Sequence, residues 1–313
     1  MHGASRYKLG EILVVAMIMV IVLSSGCVFP GGGGDTVNFG PGVRIVTWEP
    51  DLKDQPYRSG DRVKLLLKVQ NMGEYDAKDV RAELYGISLT EWGAVWSEED
   101  LGDLKAANER YNTPGETRTK QWILEAPVLP KGTEMVYEPK VRVSYDYTTV
   151  ATKPITIVDA DELRRLIHQG KTIPGEPTRY TSGPLSVEII TGDFIKTEGR
   201  DPYLPIHIII RNVGEGTISN EGYYGWGDVE MDYPIEVTVK VPHTMHIVGG
   251  EECTGGSEVV EMWQGREAEV TCEVTVEPVE ISQKEIIEVD VKYRYQVDAT
   301  TQVKVIGEEL GFF

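Results

Sequence analysis

The sequence predicts an all-β protein made of two tandem antiparallel β-sandwiches joined by a short helix and a linker. Three observations support this. Segments of alternating apolar and polar residues recur, Gly and Pro separate them at short intervals, and the whole pattern occurs twice. A chain of 313 residues is long enough for two hydrophobic cores of ordinary size. The predicted parts are a first sandwich at 41–158, a helical linker at 159–184, a second sandwich at 185–307 and a tail at 308–313.

The first 27 residues have the pattern of a secretory signal. Arg6 and Lys8 precede an apolar run from Ile12 to Leu23, and small residues at 24–26 follow it. The run is shorter than the roughly 20 residues that a helix needs to cross a bilayer. The segment therefore predicts export rather than a permanent membrane-spanning helix.

Cys27 closes this signal. The stretch from Leu23 to Cys27 resembles the lipobox of lipoproteins, although Ser24 stands where that motif most often has Leu. The resemblance implies cleavage before Cys27 and lipid on its sulfur, and a two-chain glyceride would anchor the protein stably. Gly31–Gly34, within residues 28–40, predicts a flexible tether. The expected location is the extracytoplasmic face of the cell membrane.

Two other readings of the leader stay open. Ordinary cleavage would release the protein and leave Cys27 as an incidental thiol. The run Lys8–Gly10 followed by Glu11 also resembles a prepilin signal, which implies a filament subunit. Gly26 and Pro30 would break such a helix after about four turns, which is short for a pilin stalk.

The net charge of the chain argues against nucleic acid as a partner. A formal charge of -19, with no basic block after residue 10, argues against binding to nucleic acid, which depends on Lys and Arg.

Cys253 and Cys272 lie in the second repeat, and export exposes them to an oxidising compartment. We predict that they form a disulfide.

The repeat is clearest at one strand and the turn that follows it. Val63–Glu74 matches Leu204–Glu215, and both have one wholly aliphatic face with a period of two residues. Each ends in Asn-x-Gly-Glu, whose Asn71 or Asn212 favours a sharp turn. We expect a structural role for both Asn residues rather than ligand contact.

A second matched pair of strands closes each repeat. Val141–Tyr147 and Val289–Tyr295 alternate apolar and polar residues in the same way. Each continues through an Ala-Thr pair into a last apolar run, which predicts matching terminal hairpins. The Ala-Thr pairs and final runs are Ala151-Thr152 with Ile155–Val158, and Ala299-Thr300 with Val303–Ile306.

Residues 159–169 predict a short helix between the repeats. Acidic residues begin it, Leu163, Leu166 and Ile167 recur at helical spacing, and Gly170 ends it. The Pro-, Gly- and Thr-rich stretch 171–184 then completes the linker.

Together these features carry a family resemblance. Each repeat resembles the CARDB-like, immunoglobulin-type modules found in archaeal surface and S-layer-associated proteins. The resemblance is carried by an amino-terminal strand, by Gly-Asp-Arg-Val63 or its counterpart, by Asn-x-Gly and by a closing Val-x-Val-x-Tyr-x-Tyr. The resemblance covers most of 41–158 and 185–307. It implies two tandem immunoglobulin-like antiparallel β-sandwiches and a role in adhesion or scaffolding, and it supplies no catalytic residue.

Two groups of residues are weak candidates for metal binding. His243 and His246 are spaced so that both imidazoles could bind one metal ion, and Glu251 and Glu252 could complete the site. However, Pro242 precedes them and the pattern of the segment indicates a loop. The second group alternates along a strand pattern, so its carboxylates would share one face and could bind Ca²⁺, although we favour a solvated acidic face. That group is Asp228, Glu230 and Asp232. We expect no bound metal and no cofactor.

Five aromatic residues are the candidate binding residues. They follow the Asn-x-Gly strand where the two repeats diverge, and aromatic loops on rigid sandwiches often bind sugars or proteins. The alternative, which we favour, is that they close each core from a neighbouring strand. The residues are Trp92, Trp96, Tyr223, Tyr224 and Trp226.

The sequence therefore predicts a non-catalytic, lipid-anchored protein of the cell envelope. Ser257 lacks the Gly-x-Ser-x-Gly frame of a hydrolase nucleophile, and no pair of carboxylates stands out as an acid and a base. The expected partners are the membrane, through the anchor, and another envelope protein or a glycan. An envelope enzyme, or the accessory subunit of one, is the competing class.

Overall fold

The structure, a computed structural model, is almost entirely β. It describes residues 40–108, 110–198, 202–221, 231–250, 253 and 257–307. Within these ranges there is a single α-helix, and the predicted all-β class is confirmed. Cys27 and its leader lie outside the described residues.

The first repeat contributes eight strands. They are β1 (Val43–Pro50), β2 (Tyr57–Arg58), β3 (Arg62–Asn71), β4 (Ala77–Tyr85), β5 (Glu98–Leu104), β6 (Thr117–Glu125), β7 (Glu134–Tyr137) and β8 (Lys140–Asp159).

Helix α1 (Ala160–His168) follows at the predicted place. The Asp159 side chain accepts hydrogen bonds from the N–H groups of Asp161 and Glu162, so it caps the helix. The remaining strands are β9 (Arg179–Tyr180), β10 (Leu185–Ile190), β11 (Phe194–Thr197), β12 (Tyr203–Asn212), β13 (Thr217–Ser219), β14 (Pro234–Lys240), β15 (Met245–Gly249), β16 (Ser257–Glu261), β17 (Glu267–Val276), β18 (Ser282–Thr300) and β19 (Val303–Ile306).

Each repeat packs an outer sheet of its own against one sheet that both repeats share. The outer sheets are ordered β1-β3-β6 and β10-β12-β17-β15, and the shared nine-stranded sheet runs β16-β14-β18-β8-β4-β5 with β9, β11 and β13 attached. Buried apolar side chains from both repeats form one contiguous core between these layers. Burial of alternate residues explains why each strand reads as apolar on one face only.

Asn71 and Asn212 shape the same turn in both repeats, as predicted. The Nδ2 of Asn71 donates to the carbonyls of Tyr75 and Leu104, and its Oδ1 accepts from the N–H of Gly73. Asn212 likewise donates to the carbonyls of residues 216 and 265 and accepts from the N–H of residue 214. Each side chain therefore replaces backbone partners where the chain leaves the strand.

The two repeats join through β8 and β18, which pair antiparallel along the whole of β18. Asp146 lies opposite Arg294. The repeat offset of 148 (293 minus 145) also relates Asp146 to Arg294, so a residue here faces its own counterpart. A pseudo-two-fold axis therefore passes through this pair, as in an isologous dimer whose subunits have been fused.

The repeats also exchange strands at their ends. β19 of the second repeat pairs with β2 and β7 of the first, and buries Val303 and Val305. At the other end, Thr156–Asp159 of β8 pair with β11 of the second repeat. The described residues between 40 and 307 consequently form one compact unit. The boundaries 41–158 and 185–307 stay a prediction of where each repeat begins and ends along the chain.

The predicted terminal hairpins were wrong. Ala151-Thr152 lies within the uninterrupted β8, and β19 pairs with strands of the other repeat instead of folding back on β18. In the first repeat the physical reason is that an Ala-Thr pair contains none of the residues that favour a tight turn, so β8 continues through it.

Four buried tyrosines surround the pseudo-two-fold axis. Their ring centroids lie 6.0 to 6.3 Å apart around the cluster. Tyr145 accepts a hydrogen bond from the N–H of Val43, and Tyr295 donates to Oδ1 of Asn212. Burial raises the pKa of Tyr145 and Tyr293 well above the ordinary value, and raises the pKa of Tyr295 to about 12. The cluster comprises Tyr145, Tyr147, Tyr293 and Tyr295.

We therefore expect the free energy of unfolding to fall as the pH rises above about 10. The unfolded chain releases its phenol protons there, whereas the folded chain retains those of Tyr145 and Tyr293. The folded state then binds more protons than the unfolded state. The stabilisation that results is complete below pH ~10 and is lost as the pH rises further. Denaturant unfolding at a series of pH values measures the slope. Tyr145→Phe should make it shallower, and an unchanged slope would contradict this assignment.

Candidate functional site

The structure separates the two aromatic residues of the first repeat. Trp92 is fully buried, with its ring 5.1 Å from that of Tyr137 in an edge-to-face contact. Trp96 is 65% exposed beside Val95, which is 81% exposed. Trp92 thus closes the core, while Trp96 and Val95 form an apolar tip on the β4–β5 loop. Tyr223, Tyr224 and Trp226 lie outside the described residues.

The predicted disulfide between Cys253 and Cys272 is present, with an S–S distance of 2.03 Å. Cys272 lies opposite Ile206 in the outer sheet of the second repeat. In the first repeat Trp122 lies opposite Leu65, the counterpart of Ile206, and packs against Trp48 at 5.6 Å between centroids. Cys272 therefore occupies the place of Trp122, whereas the counterpart of Trp48, opposite Ile208, is Ile189.

We expect the Cys253→Ala/Cys272→Ala variant to lose about 3 kcal/mol of unfolding free energy, since the bond closes a loop of about 20 residues in the unfolded chain. Denaturant unfolding of the oxidised and reduced parent protein gives the matched comparison. Equal midpoints for oxidised parent, reduced parent and variant would show that the bond contributes nothing to stability.

Three of the metal candidates, His243, His246 and Asp232, lie within the described residues. Nε2 of His246 lies 3.1 Å from Oε1 of Glu277, and the N–H of Asp232 donates to Glu261. Within the described ranges no group of three or more His, Cys, Asp or Glu residues is placed to hold a metal ion. Asp228, Glu230, Glu251 and Glu252 fall outside those ranges.

Sequence reasoning missed a groove at the pseudo-two-fold axis, which we call the axial groove. Its volume is about 300 Å³, and both repeats line it. Tyr75, Asp76 and Asp146 come from the first repeat, and Glu221 and Lys292 from the second. Glu221 is also the last described residue before the aromatic segment of the second repeat. Pairing of β8 with β18 assembles this groove, so no local motif could have revealed it.

Arg294 is the central charge of the axial groove. Its side chain is only 10% exposed, and its guanidinium lies 2.9 Å from Asp146, 3.2 Å from Asp79 and 3.5 Å from Glu221. Its Nη2 donates to Oγ of Ser144 at 3.0 Å. Lys78 and Lys292 also line the groove, and Arg81 lies 3.1 Å from Asp79, so charges of both signs surround Arg294. The sequence signal was weak, because Arg294 occupies an ordinary polar position of an alternating strand.

One carboxylate at this groove, that of Asp76, is held in its ionised form. Burial acts to raise the pKa of Asp76, but hydrogen bonds from Lys105 and from the N–H of Ala106 lower it below its ordinary value. A carboxylate held ionised is poorly suited to donate a proton near neutral pH. What the arrangement offers is fixed charges, Tyr75 and the hydroxyls of Thr148 and Ser219, which suit polar recognition.

Comparison with known proteins gives little beyond this geometry. No known protein family matches the chain, and no curated protein sequence matches it significantly. Among solved structures, the C-terminal globular domain of an oligosaccharyltransferase from Pyrococcus abyssi matches with a TM-score of 0.25 and 11% identity. The match covers 86% of this chain and 50% of that one, and so spans half of the neighbour's length. A TM-score this low does not establish a common fold. In the described part of the chain, no helix is both long and apolar enough to span a membrane.

Proposed function

We propose that this protein is a non-catalytic, lipid-anchored scaffold of the cell envelope that presents a rigid surface to another envelope protein. The observation that carries the proposal is the strand exchange: β19 completes the first repeat, and the end of β8 pairs with the second. Repeats interlocked in this way cannot reorient against each other as tethered modules do. A rigid duplicated platform suits spacing and presentation of surfaces.

Anchoring is the first part of the proposal. A signal that ends at Cys27, followed by a Gly-rich tether, would place the folded unit outside the membrane with lipid on the Cys27 sulfur. The disulfide between Cys253 and Cys272 supports an oxidising, extracytoplasmic compartment.

Binding through the apolar tip is the second part. Val95 and Trp96 are adjacent and exposed on a loop whose base is fixed by buried Trp92. Exposed Trp residues held by a rigid loop frequently dominate binding energy at protein interfaces. Trp263 is 74% exposed in a tight turn of the second repeat, between buried Met262 and the polar Gln264, and serves as a matched control.

Crosslinking in intact envelopes tests the proposal. The parent protein should be recovered with one envelope protein, and with a lipid-modified Cys27 at its amino terminus by mass spectrometry. Trp96→Ala should lower recovery of that partner at least tenfold with no loss of protein, whereas Trp263→Ala should retain it. Equal recovery with both variants would contradict the tip as the binding surface, and recovery of a glycan alone would contradict a protein partner. An unmodified Cys27 would contradict the anchor, and an amino terminus at Glu11 would favour a filament subunit.

A further inference from the structure

Both outer sheets lie on the same side of the shared sheet. Strand β8 buries odd-numbered residues along its length, among them Tyr147, and β18 does the same, with Tyr293 among them. Those two tyrosines lie opposite each other, so both strands bury the same face of the shared sheet. The outer sheet of each repeat packs against that buried face. The exposed faces of both outer sheets therefore point away from the shared sheet on the same side of the molecule.

The exposed face of the sheet β1-β3-β6, which we call the first outer face, is basic. Strand β3 buries the odd-numbered residues from Val63 to Val69, so the residues between them point outwards. Pairing with β3 places Arg44 and Glu49 of β1, and Glu125 of β6, on the same face. The cations of this face are Arg44, Arg62, Lys64 and Lys68. They outnumber its two carboxylates, Glu49 and Glu125, although the chain as a whole has a formal charge of -19.

The exposed face of the sheet β10-β12-β17-β15, which we call the second outer face, is acidic. Strand β12 buries Ile206, Ile208 and Ile210, and β17 buries the residues opposite them, so the charged residues of both strands point outwards. Arg211 lies 2.6 Å from Glu267 and 3.5 Å from Glu188. Within the described strands of this face, that one guanidinium opposes the carboxylates of Glu188, Glu267, Glu269 and Glu273.

The opposite charges occupy equivalent positions of the two repeats. The repeat offset is 141 between β3 and β12 (204 minus 63), so Lys64 and Lys68 correspond to the uncharged Pro205 and Ile209. The offset is 150 between β6 and β17 (272 minus 122), since Trp122 and Cys272 lie opposite equivalent residues. At that offset Thr117, Thr119 and Ile123 correspond to Glu267, Glu269 and Glu273. The repeats therefore keep the same strands and buried faces, whereas their outer faces differ in the sign of their charge.

We propose that the first outer face docks on the second outer face of another copy of this chain, in a two-fold dimer. Since both faces lie on one side of the molecule, a two-fold axis parallel to the shared sheet, and at right angles to the line joining the repeats, forms both contacts at once. An axis along that line would instead bring each face onto its like, which charge repulsion disfavours. The proposal does not depend on the anchor or on the apolar tip.

The area of the two faces suits a dimer that forms both contacts. Three strands about 4.8 Å apart and about 30 Å long cover roughly 400 Å². A single contact would thus bury about 800 Å² on the two copies together, which is typical of crystal packing, whereas both contacts bury about 1,600 Å², the usual area of a specific interface. Each face also exposes apolar surface, since Ile123 is 57% exposed on the first and Tyr203 is 75% exposed on the second.

Sedimentation equilibrium of the full chain tests the proposal. The parent should be a dimer at about 100 μM in low salt. Its dissociation constant should rise at least about tenfold between about 50 mM and about 500 mM salt, because salt screens exposed charges. A monomer under these conditions, a series of larger open assemblies, or association that salt does not weaken would overturn the proposal.

Charge reversal distinguishes this interface from any other contact between copies, including one through the leader. Lys64→Glu/Lys68→Glu and Glu269→Lys/Glu273→Lys should each be monomeric, since each variant has two outer faces of the same sign. An equimolar mixture of the two variants should form a one-to-one heterodimer, because two negative faces then meet two positive ones. Variants that associate as the parent does, or a mixture that stays monomeric, would overturn the proposal.

Lys171→Glu/Lys196→Glu is the matched control. Both side chains are exposed, in the linker and on β11 of the shared sheet, and the change in net charge equals that of Lys64→Glu/Lys68→Glu. The control should dimerise with the dissociation constant of the parent. Loss of its dimer would show that net charge, and not the two outer faces, governs association, and would also overturn the proposal.

Discussion

Val305→Asp should destabilise the whole protein by more than about 4 kcal/mol, because it places an unpaired carboxylate in a closed core. Val305 is fully buried on β19, between β2 and β7 of the first repeat. The mutation lies near the end of the second repeat, yet the strands that lose their partner belong to the first. Denaturant unfolding, with limited proteolysis of the first repeat, measures both effects.

Lys304→Ala is the control for this prediction. The neighbouring side chain is exposed and forms a surface ion pair with Glu134, so its loss should cost less than about 1 kcal/mol. If Val305→Asp frays only residues 303–306 and leaves the unfolding midpoint of the parent unchanged, β19 is an accessory strand and the strand exchange contributes little to stability.

Trp92→Ala should cost about 4 kcal/mol, because it empties a large, fully buried site. The change removes the contact of Trp92 with the ring of Tyr137 and loosens the loop whose carbonyl at Trp92 accepts from the N–H of Glu125. Trp96→Ala, four residues away on the exposed tip, should change the unfolding free energy by no more than about 0.5 kcal/mol.

Thermal and denaturant unfolding of the two tryptophan variants measure this contrast. A stable Trp92→Ala protein would mean that the loop does not close the core. A destabilised Trp96→Ala protein would mean that Trp96 is a packing residue, which would remove it as a binding residue.

The sequence predicted those parts of the fold that depend on local pattern. Alternation predicted the strands that end at Asn71 and Asn212, and the Asn-x-Gly that follows predicted their turns. The acidic start and helical spacing of residues 159–169 predicted α1, and the position of Cys253 and Cys272 predicted the disulfide. Each of these signals is contained within a few neighbouring residues or in one pair of side chains.

The exchange of strands between repeats was not predictable from the same signals. The run Val303–Ile306 reads as a buried strand, but alternation specifies which face is buried and not which strand lies beside it. The axial groove depends on that same choice of partner, because Asp146 and Arg294 meet only once β8 pairs with β18. The two candidate tryptophans of the first repeat could not be separated either, since one loop contains both.

The central claim is that the two repeats are one cooperative unit, and calorimetric unfolding of the purified protein tests it most directly. We predict a single transition whose calorimetric and van't Hoff enthalpies agree. Leu67→Ala in the first repeat and its counterpart Ile208→Ala in the second, both fully buried in the parent, should each lower that same transition temperature. Two transitions, with Leu67→Ala lowering only one and Ile208→Ala only the other, would contradict the account.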